Sequence, residues 1–223
     1  MKCKLVNKDI RENYTNELLM ERGLSPEELQ YFLDVPDDSA LQNPKYLDNI
    51  LTGALVFEND FRFYTKDDRI IVLCDSDVDG FTSAAIFIQY LRKFNKEVQI
   101  DYILHKGKGH GLSDTINDIL EKQNDNPNIR WVVMPDAGSN DYEYFEQLGA
   151  EGIHSLVLDH HIVEPNTKFS EWAIIINNQL SSEYKNKDLC GAGVVWQFCR
   201  YIDKRQHTDY ANEYIDLAAL GIN

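Results

Sequence analysis

Long apolar runs are missing from this 223-residue chain: no segment approaches the ~20 consecutive apolar residues that cross a bilayer. No early stretch joins basic residues to an apolar core, so neither export nor membrane insertion is expected. Cysteine is scarce. The four present (Cys3, Cys74, Cys190, Cys199) form no CxxC pair, and Cys74 lies in an apolar run. That argues against a disulfide framework or a thiolate zinc site and for a reducing, cytoplasmic setting. Positive charge is in deficit too, with 22 Lys and Arg against 37 Asp and Glu and a formal net charge of −15. Such a chain does not attract a polyanion over distance, so any nucleic-acid binding has to be local. Carboxylates can still face phosphate when divalent cations lie between them, because the cation then sets the sign of the local field.

What is present reads as an ordinary globular composition, 43% hydrophobic and 26% charged, arranged in two regions. Residues 1–65 predict a small helical N-terminal region: Leu18, Leu19, Leu24, Leu29, Phe32 and Leu33 recur at helix-like intervals. Within it, Ser25-Pro26-Glu27-Glu28 supplies an N-cap, a first-turn proline and acidic residues for the helix dipole. From Arg69 the pattern changes to short apolar runs, RIIVLCD, VQIDYILH, RWVVMPD, HSLVLDHH and AIIINNQ, separated by amphipathic stretches. Strand alternating with helix predicts an α/β domain over 66–223, a parallel sheet of about five strands with helices on both faces. Phe81, Ala84, Ala85, Ile88 and Leu91 mark the first crossover helix, while GAGVVWQFCRYID and Tyr210 to Leu220 predict two more.

In open parallel sheets, ligands collect beyond the carboxyl ends of the strands. Asp75, Asp77 and Asp79 follow the first run, His105, Lys106, Lys108 and His110 the second, Asp136 the third, and Asp159, His160 and His161 end the fourth. Three carboxylates at alternate positions repel unless a cation neutralises them. CDSDVDGFTSAA begins like an EF-hand, but the twelfth position is Ile86 where a bidentate glutamate is required. Asp77-Val78-Asp79-Gly80 also resembles a haloacid-dehalogenase-type strand end, with Asp77 as a nucleophile, a reading that leaves the adjacent histidines unexplained. Paired histidines after a strand-end aspartate suit metal chemistry, since imidazole accepts manganese or zinc and the carboxylate fixes its tautomer. The loop HKGKGHGL, with Gly107, Gly109 and Gly111, has the wrong spacing for a dinucleotide fingerprint and suits a phosphate-contacting loop instead.

Together these segments resemble the DHH phosphoesterase family, and within it the RecJ-like single-strand-specific exonucleases. DSDVDGFTSAA is similar to the family's first motif, DAGSND to the second, and LDHH to the third; the flanks YILHKGKGHGL, NNQLSSEYKNKDLCGAGVVWQF and ELLMERGLSPEELQYFLD extend the resemblance over nearly the whole chain. The resemblance implies two divalent cations, Mn2+ or Mg2+, in a two-metal phosphodiesterase, and a 5′ to 3′ exonuclease with single-stranded DNA the favoured partner. Its metal ligands would be Asp75, Asp77, Asp79, Asp136 and His160, with Asp136 bridging. Asp159 and His161 would be the catalytic pair, and His105, Lys106, Lys108, His110 and Gly111 would bind substrate. Cleavage of short oligoribonucleotides or cyclic dinucleotides, or a non-catalytic replication or repair scaffold, are the alternatives the same resemblance carries. DLAALGIN is similar to the lead-in of a fourth motif, so Asp216 belongs to that lead-in. The family's fourth-motif aspartate and second domain are then expected from a longer protein or a partner chain.

Overall fold

The five apolar runs pair as one parallel sheet: β1 (Arg69–Cys74), β2 (Gln99–Leu104), β3 (Ile129–Pro135), β4 (His154–Asp159) and β5 (Ala173–Asn177), in the order β2-β1-β3-β4-β5. The structure is a computed structural model, and it describes residues 14–33, 41–105 and 111–221. Crossover helices α4 (Val78–Phe94), α5 (Ile116–Asp125) and α6 (Tyr142–Ala150) join the first four strands, and α7 (Gly191–Gln206) follows the fifth. The α/β class and two-sided sheet are those expected from the alternation. The last predicted helix is split, a 3-10 turn at Ala211–Tyr214 running into α8 (Ile215–Gly221).

Both faces of the sheet are buried over β1, β3 and β4, which is why those strands read as apolar runs, whereas the edge strand β2 leaves Tyr102 and Leu104 exposed. Ile70, Val72, Val133, Leu156 and Leu158 point into a cluster with Tyr90 of α4 and Phe198 of α7. Ile71, Leu73, Val132, Met134 and Val157 point the other way, onto Ile119 of α5 and Phe145 and Leu148 of α6. Cys74, Cys190 and Cys199 are buried and unpaired, while Cys3 lies outside the described residues. No helix among the described residues is long and apolar enough to cross a membrane.

The region expected over 1–65 divides in two. One compact unit runs from Met1 to Gln42, and the unit holding the sheet begins at Asn43. In the first, α1 (Tyr14–Glu21) and α2 (Pro26–Leu33) are described; Ser25 Oγ accepts from Glu28 N at 3.2 Å, the N-cap its sequence predicts, and Ser25 N in turn donates to Glu28 Oε2 at 2.8 Å. In the second, α3 (Ile50–Val56) continues into a π-helical turn, Phe57–Phe61. The acidic residues of FENDF mask its role. Phe57 and Phe61 are fully buried, and the Phe61 ring meets Trp131 of β3 edge-on at 5.6 Å between centroids. Asn95, capping α4, donates to Phe61 O at 2.8 Å and Tyr64 O at 2.7 Å. Burying two aromatic rings, each worth about 3–5 kcal/mol against alanine, makes this segment part of the sheet's core.

The strand order places the site. The chain leaves β1 for β2 on one side, then returns past β1 to add β3 on the other. Crossovers on either side diverge there, opening a crevice at the carboxyl ends of β1 and β3. Asp75 and Asp136 are the residues directly after those two strands.

Candidate metal centre

The crevice gathers most of the expected carboxylates and histidines into two overlapping groups, but Asp79, expected as a ligand, is in neither, and His161, expected as catalytic, is in one. Ligand atoms of Asp75, Asp77 and Asp136 lie within 4.8 Å of one another, and so do those of Asp136, His160 and His161. Asp136 is common to both, the place a bridging carboxylate would occupy. It is 2% exposed, and its backbone is left-handed at φ 72°. A β-carbon makes that conformation unfavourable by roughly 1–2 kcal/mol, though aspartate tolerates it better than most residues. The local ladder holds it there: Asp136 N still donates to Leu158 O at 2.8 Å, while the side chain turns into the crevice.

Asp136 Oδ1 is buried and accepts no hydrogen bond, although His160 Nε2 lies 3.2 Å away. Burial pushes the Asp136 carboxyl up to about 7; His160 works against that shift and the neighbouring Asp79 adds to it. His160 is raised in turn, first by Asp136. A buried anion with an unused acceptor, beside further carboxylates, is an environment short of positive charge, so the residues present fit a divalent cation.

Two helix N-termini supply part of that charge. Asp77 caps α4, its side chain accepting from Gly80 N at 2.9 Å. Asp79 reaches α7, where Oδ2 accepts from Gly191 N at 2.8 Å and Oδ1 from Ala192 N at 2.7 Å; its Oδ2 is 3.5 Å from His160 Nε2. The positive ends of both helices thus oppose the repulsion among the carboxylates. Gly221, closing α8, sits against Asp79, whereas Asp216 is exposed and lies outside both groups.

Behind the ligands is a hydrogen-bonded circuit. Asp159 Oδ1 accepts from His161 Nδ1 at 2.7 Å and from the amides of His160 and His161 at 2.7 and 3.1 Å, and Oδ2 accepts from Ser139 N at 3.0 Å. Burial alone would raise the Asp159 carboxyl, but the His161 and Ser139 bonds outweigh it and hold it at about 2. The same contact lifts His161 to about 9, against burial. Asn177, at the end of β5, closes the circuit by donating to Ser139 Oγ at 2.8 Å and His161 O at 3.0 Å. Ser139 and Asn177 were not among the expected site residues. The signal that finds them is the one used for the others: polar side chains just beyond strand ends, here in DAGSND and AIIINNQ.

The expected substrate loop is only partly described, since Lys106, Lys108 and His110 lie outside the described residues. His105 is 5% exposed, with its amide on Cys74 O at 3.1 Å, so its ring sits inside the fold. Gly111 has φ 87° and packs on Asp141, whose Oδ2 accepts from Leu112 N at 2.7 Å. Asp141, the last residue of DAGSND, therefore anchors the end of the glycine loop to the turn after β3. Burial is the main cause raising its carboxyl to about 6; the Leu112 amide opposes this and Asp159 adds to it. A folded-state pKa above the unfolded one gives stability that is full below about pH 4 and is lost as pH rises through about 6. In urea unfolding of the metal-free protein, this group is expected to remove on the order of 1–3 kcal/mol between those limits. Asp141→Asn should flatten that part of the profile, and a variant profile parallel to wild type would place the slope elsewhere.

Comparison with known proteins shows the family and the fold. Residues 69–222 match the DHH family, N-terminal domain. The chain is 37% identical over 205 residues to the putative SPbeta prophage-derived single-strand DNA-specific exonuclease YorK of Bacillus subtilis (strain 168), a match covering 92% of this chain and 32% of that protein. It is 29% identical over 136 residues to the single-stranded-DNA-specific exonuclease RecJ of Haemophilus influenzae, 60% of this chain and 22% of RecJ. Its fold superposes on a crystal structure of exonuclease RecJ bound to manganese with a TM-score of 0.65 at 23% identity, covering 78% of this chain and 42% of the other. The chain thus spans about a third or less of the length of these curated relatives. With its motifs converging at the switch point of a sheet that the family's domain matches from first strand to last, the chain belongs to the DHH family.

Proposed function

We propose that this chain is the metal-binding part of a RecJ-like 5′ to 3′ exonuclease that hydrolyses single-stranded DNA. The observation that carries the reading is Asp136, common to two ligand groups and holding a buried Oδ1 without a hydrogen bond. Asp75, Asp77, Asp79, Asp136 and His160 would hold two divalent cations, Mn2+ or Mg2+. Such a pair, when bound, supplies Lewis-acid charge at phosphoryl oxygens and makes water a stronger nucleophile. RecJ, which shares the fold, is known bound to manganese, and YorK and RecJ are both named as single-strand-specific exonucleases. Completion of the site by a C-terminal domain or a partner chain is part of the same proposal, as is a role in repair or recombination.

The chain's own residues divide the work. Asp159, held ionised, fixes His161 through Nδ1, so contact with a phosphoryl oxygen would be made through Nε2–H. The Asp159 carboxylate lifts the His161 pKa in the metal-free protein, which favours the protonated ring that could bind a developing negative charge. His161→Ala is expected to keep Mn2+ binding while turnover falls by roughly 10²–10⁴-fold. Parallel loss of Mn2+ in calorimetry would make His161 a ligand instead.

The reading is tested by incubating the full-length protein, together with any C-terminal domain or partner chain that completes the site, with Mn2+ and single strands labelled at the 5′ or the 3′ end, alongside duplex and oligoribonucleotide. Release of mononucleotides from the 5′ end of single-stranded DNA is expected. No release with any divalent ion would refute it, and preferential cleavage of the oligoribonucleotide would move the substrate to short RNA.

A further inference from the structure

Directly after His161, Ile162 leaves 81% of its surface exposed, the most of any large apolar side chain among the described residues. A single exposed isoleucine ordinarily signifies nothing. This one is pinned: Ile162 O accepts from Asn140 Nδ2 at 3.2 Å, and Asn140 Oδ1 accepts from Glu164 N at 2.9 Å and Thr167 Oγ1 at 3.0 Å. Asn140 therefore ties the backbone after β4 to the turn after β3, with the isoleucine presented between them.

The two segments line an open pocket of about 430 Å³ whose walls are the Ala137 to Asp141 turn, Asp159, His161 and Ile162. That volume is within the ~300–1,000 Å³ of small-molecule sites, ample for a sugar and base. His161 belongs both to this cavity and to the group with Asp136 and His160, so whatever fills the cavity lies against the imidazole beside the metal ligands. Among the described residues neither lysine nor arginine lines it, and its two acidic members are already engaged, Asp159 by His161 and Asp141 by the Leu112 amide. Of its described lining side chains only His161 can carry a positive charge toward a phosphate. A neutral, flat group with an apolar face fits better.

We propose that this cavity is the subsite for the sugar and base of the nucleotide adjoining the scissile phosphate, with Ile162 as the apolar surface on which that nucleoside rests. The inference depends on the phosphodiesterase reading above and adds where the non-phosphate part of the substrate lies. Contact with an aliphatic surface does not read base edges, so the subsite would accept all four bases.

Calorimetry on the Mn2+-loaded chain, comparing thymidine 5′-monophosphate with inorganic phosphate, tests it. Wild type is expected to bind the nucleotide roughly tenfold more tightly than phosphate, the order of a modest apolar contact. Ile162→Ala should erase most of that preference while leaving phosphate affinity unchanged, and Ile162→Leu should keep it. Equal affinity for nucleotide and phosphate in wild type, or an alanine variant that weakens both alike, would overturn the subsite. Failure of either probe to bind in the presence of Mn2+ would instead remove the phosphodiesterase reading, and the subsite with it.

Discussion

Asparagine in place of Asp136 is expected to make the metal-free protein more stable and to leave it unable to hold divalent cations. Asp136 is buried, its Oδ1 accepts no hydrogen bond, and Asp79 repels it. Its carboxyl is raised to about 7, far above the unfolded value, so its contribution to stability is complete at acid pH and is lost as pH rises through 7. At pH 8 the charged form is a burden the fold carries for another purpose. Asparagine keeps the shape and tolerates the left-handed backbone but has no charge to bury. In chelator at pH 8 the variant should gain about 1–3 kcal/mol in urea unfolding, with the lost His160 contact set against the relief. Mn2+ affinity should fall by more than roughly 100-fold, because a ligand shared by two cations is removed, not one that merely orients them. Unchanged Mn2+ stoichiometry in the variant would refute its shared role, and a loss of stability would show that Asp136 is satisfied within the protein.

The strands and their polar ends are legible in the sequence because a parallel sheet buries both faces. VLC, VVMP and LVLD stand out as apolar runs, and whatever polar residue follows each must sit at one edge. The α4 helix is legible as a helix, but its packing face is not: of Phe81, Ala84, Ala85, Ile88 and Leu91 only Ala84 and Leu91 are buried, Phe81 is half exposed, and Ile86, Phe87 and Tyr90 fill the core instead. What escapes is everything set by contacts between distant segments. The aromatic pair in FENDF looks solvent-facing until Trp131 and Tyr90, far along the chain, are seen packed on it. The left-handed turn at Asp136 is not written in local propensity either, because aspartate before Ala-Gly fits an ordinary cap equally well. Asp79 reads as a ligand from its spacing, yet both its oxygens also anchor α7 across more than a hundred residues. Such double duty appears only once the helix is placed.

Alanine at Gly191 is expected to break the centre without altering a ligand atom. The residue opens α7, and a methyl built on it would lie 2.2 Å from Asp136 Oδ1 and 2.6 Å from Asp136 Cβ. Neither side can yield easily. Asp136 is fixed by its strand-end hydrogen bond and left-handed backbone, and Gly191 N is held by Asp79 Oδ2. Relief therefore requires α7 to retreat from the end of β3, which pulls the Gly191 and Ala192 amides off Asp79, or Asp136 to swing away from His160. Overpacking of this kind costs about 1–3 kcal/mol or more. Gly152 is the control: it has φ 71° with nothing within 4 Å of the position a methyl would take, so alanine there meets only backbone strain of roughly 1–2 kcal/mol. The two variants should be comparably destabilised in urea, but only Gly191→Ala should lose Mn2+ binding. Equal Mn2+ affinity in both would mean that Asp136 takes its position from β3 alone, and that the approach of α7 shapes the fold but not the metal centre.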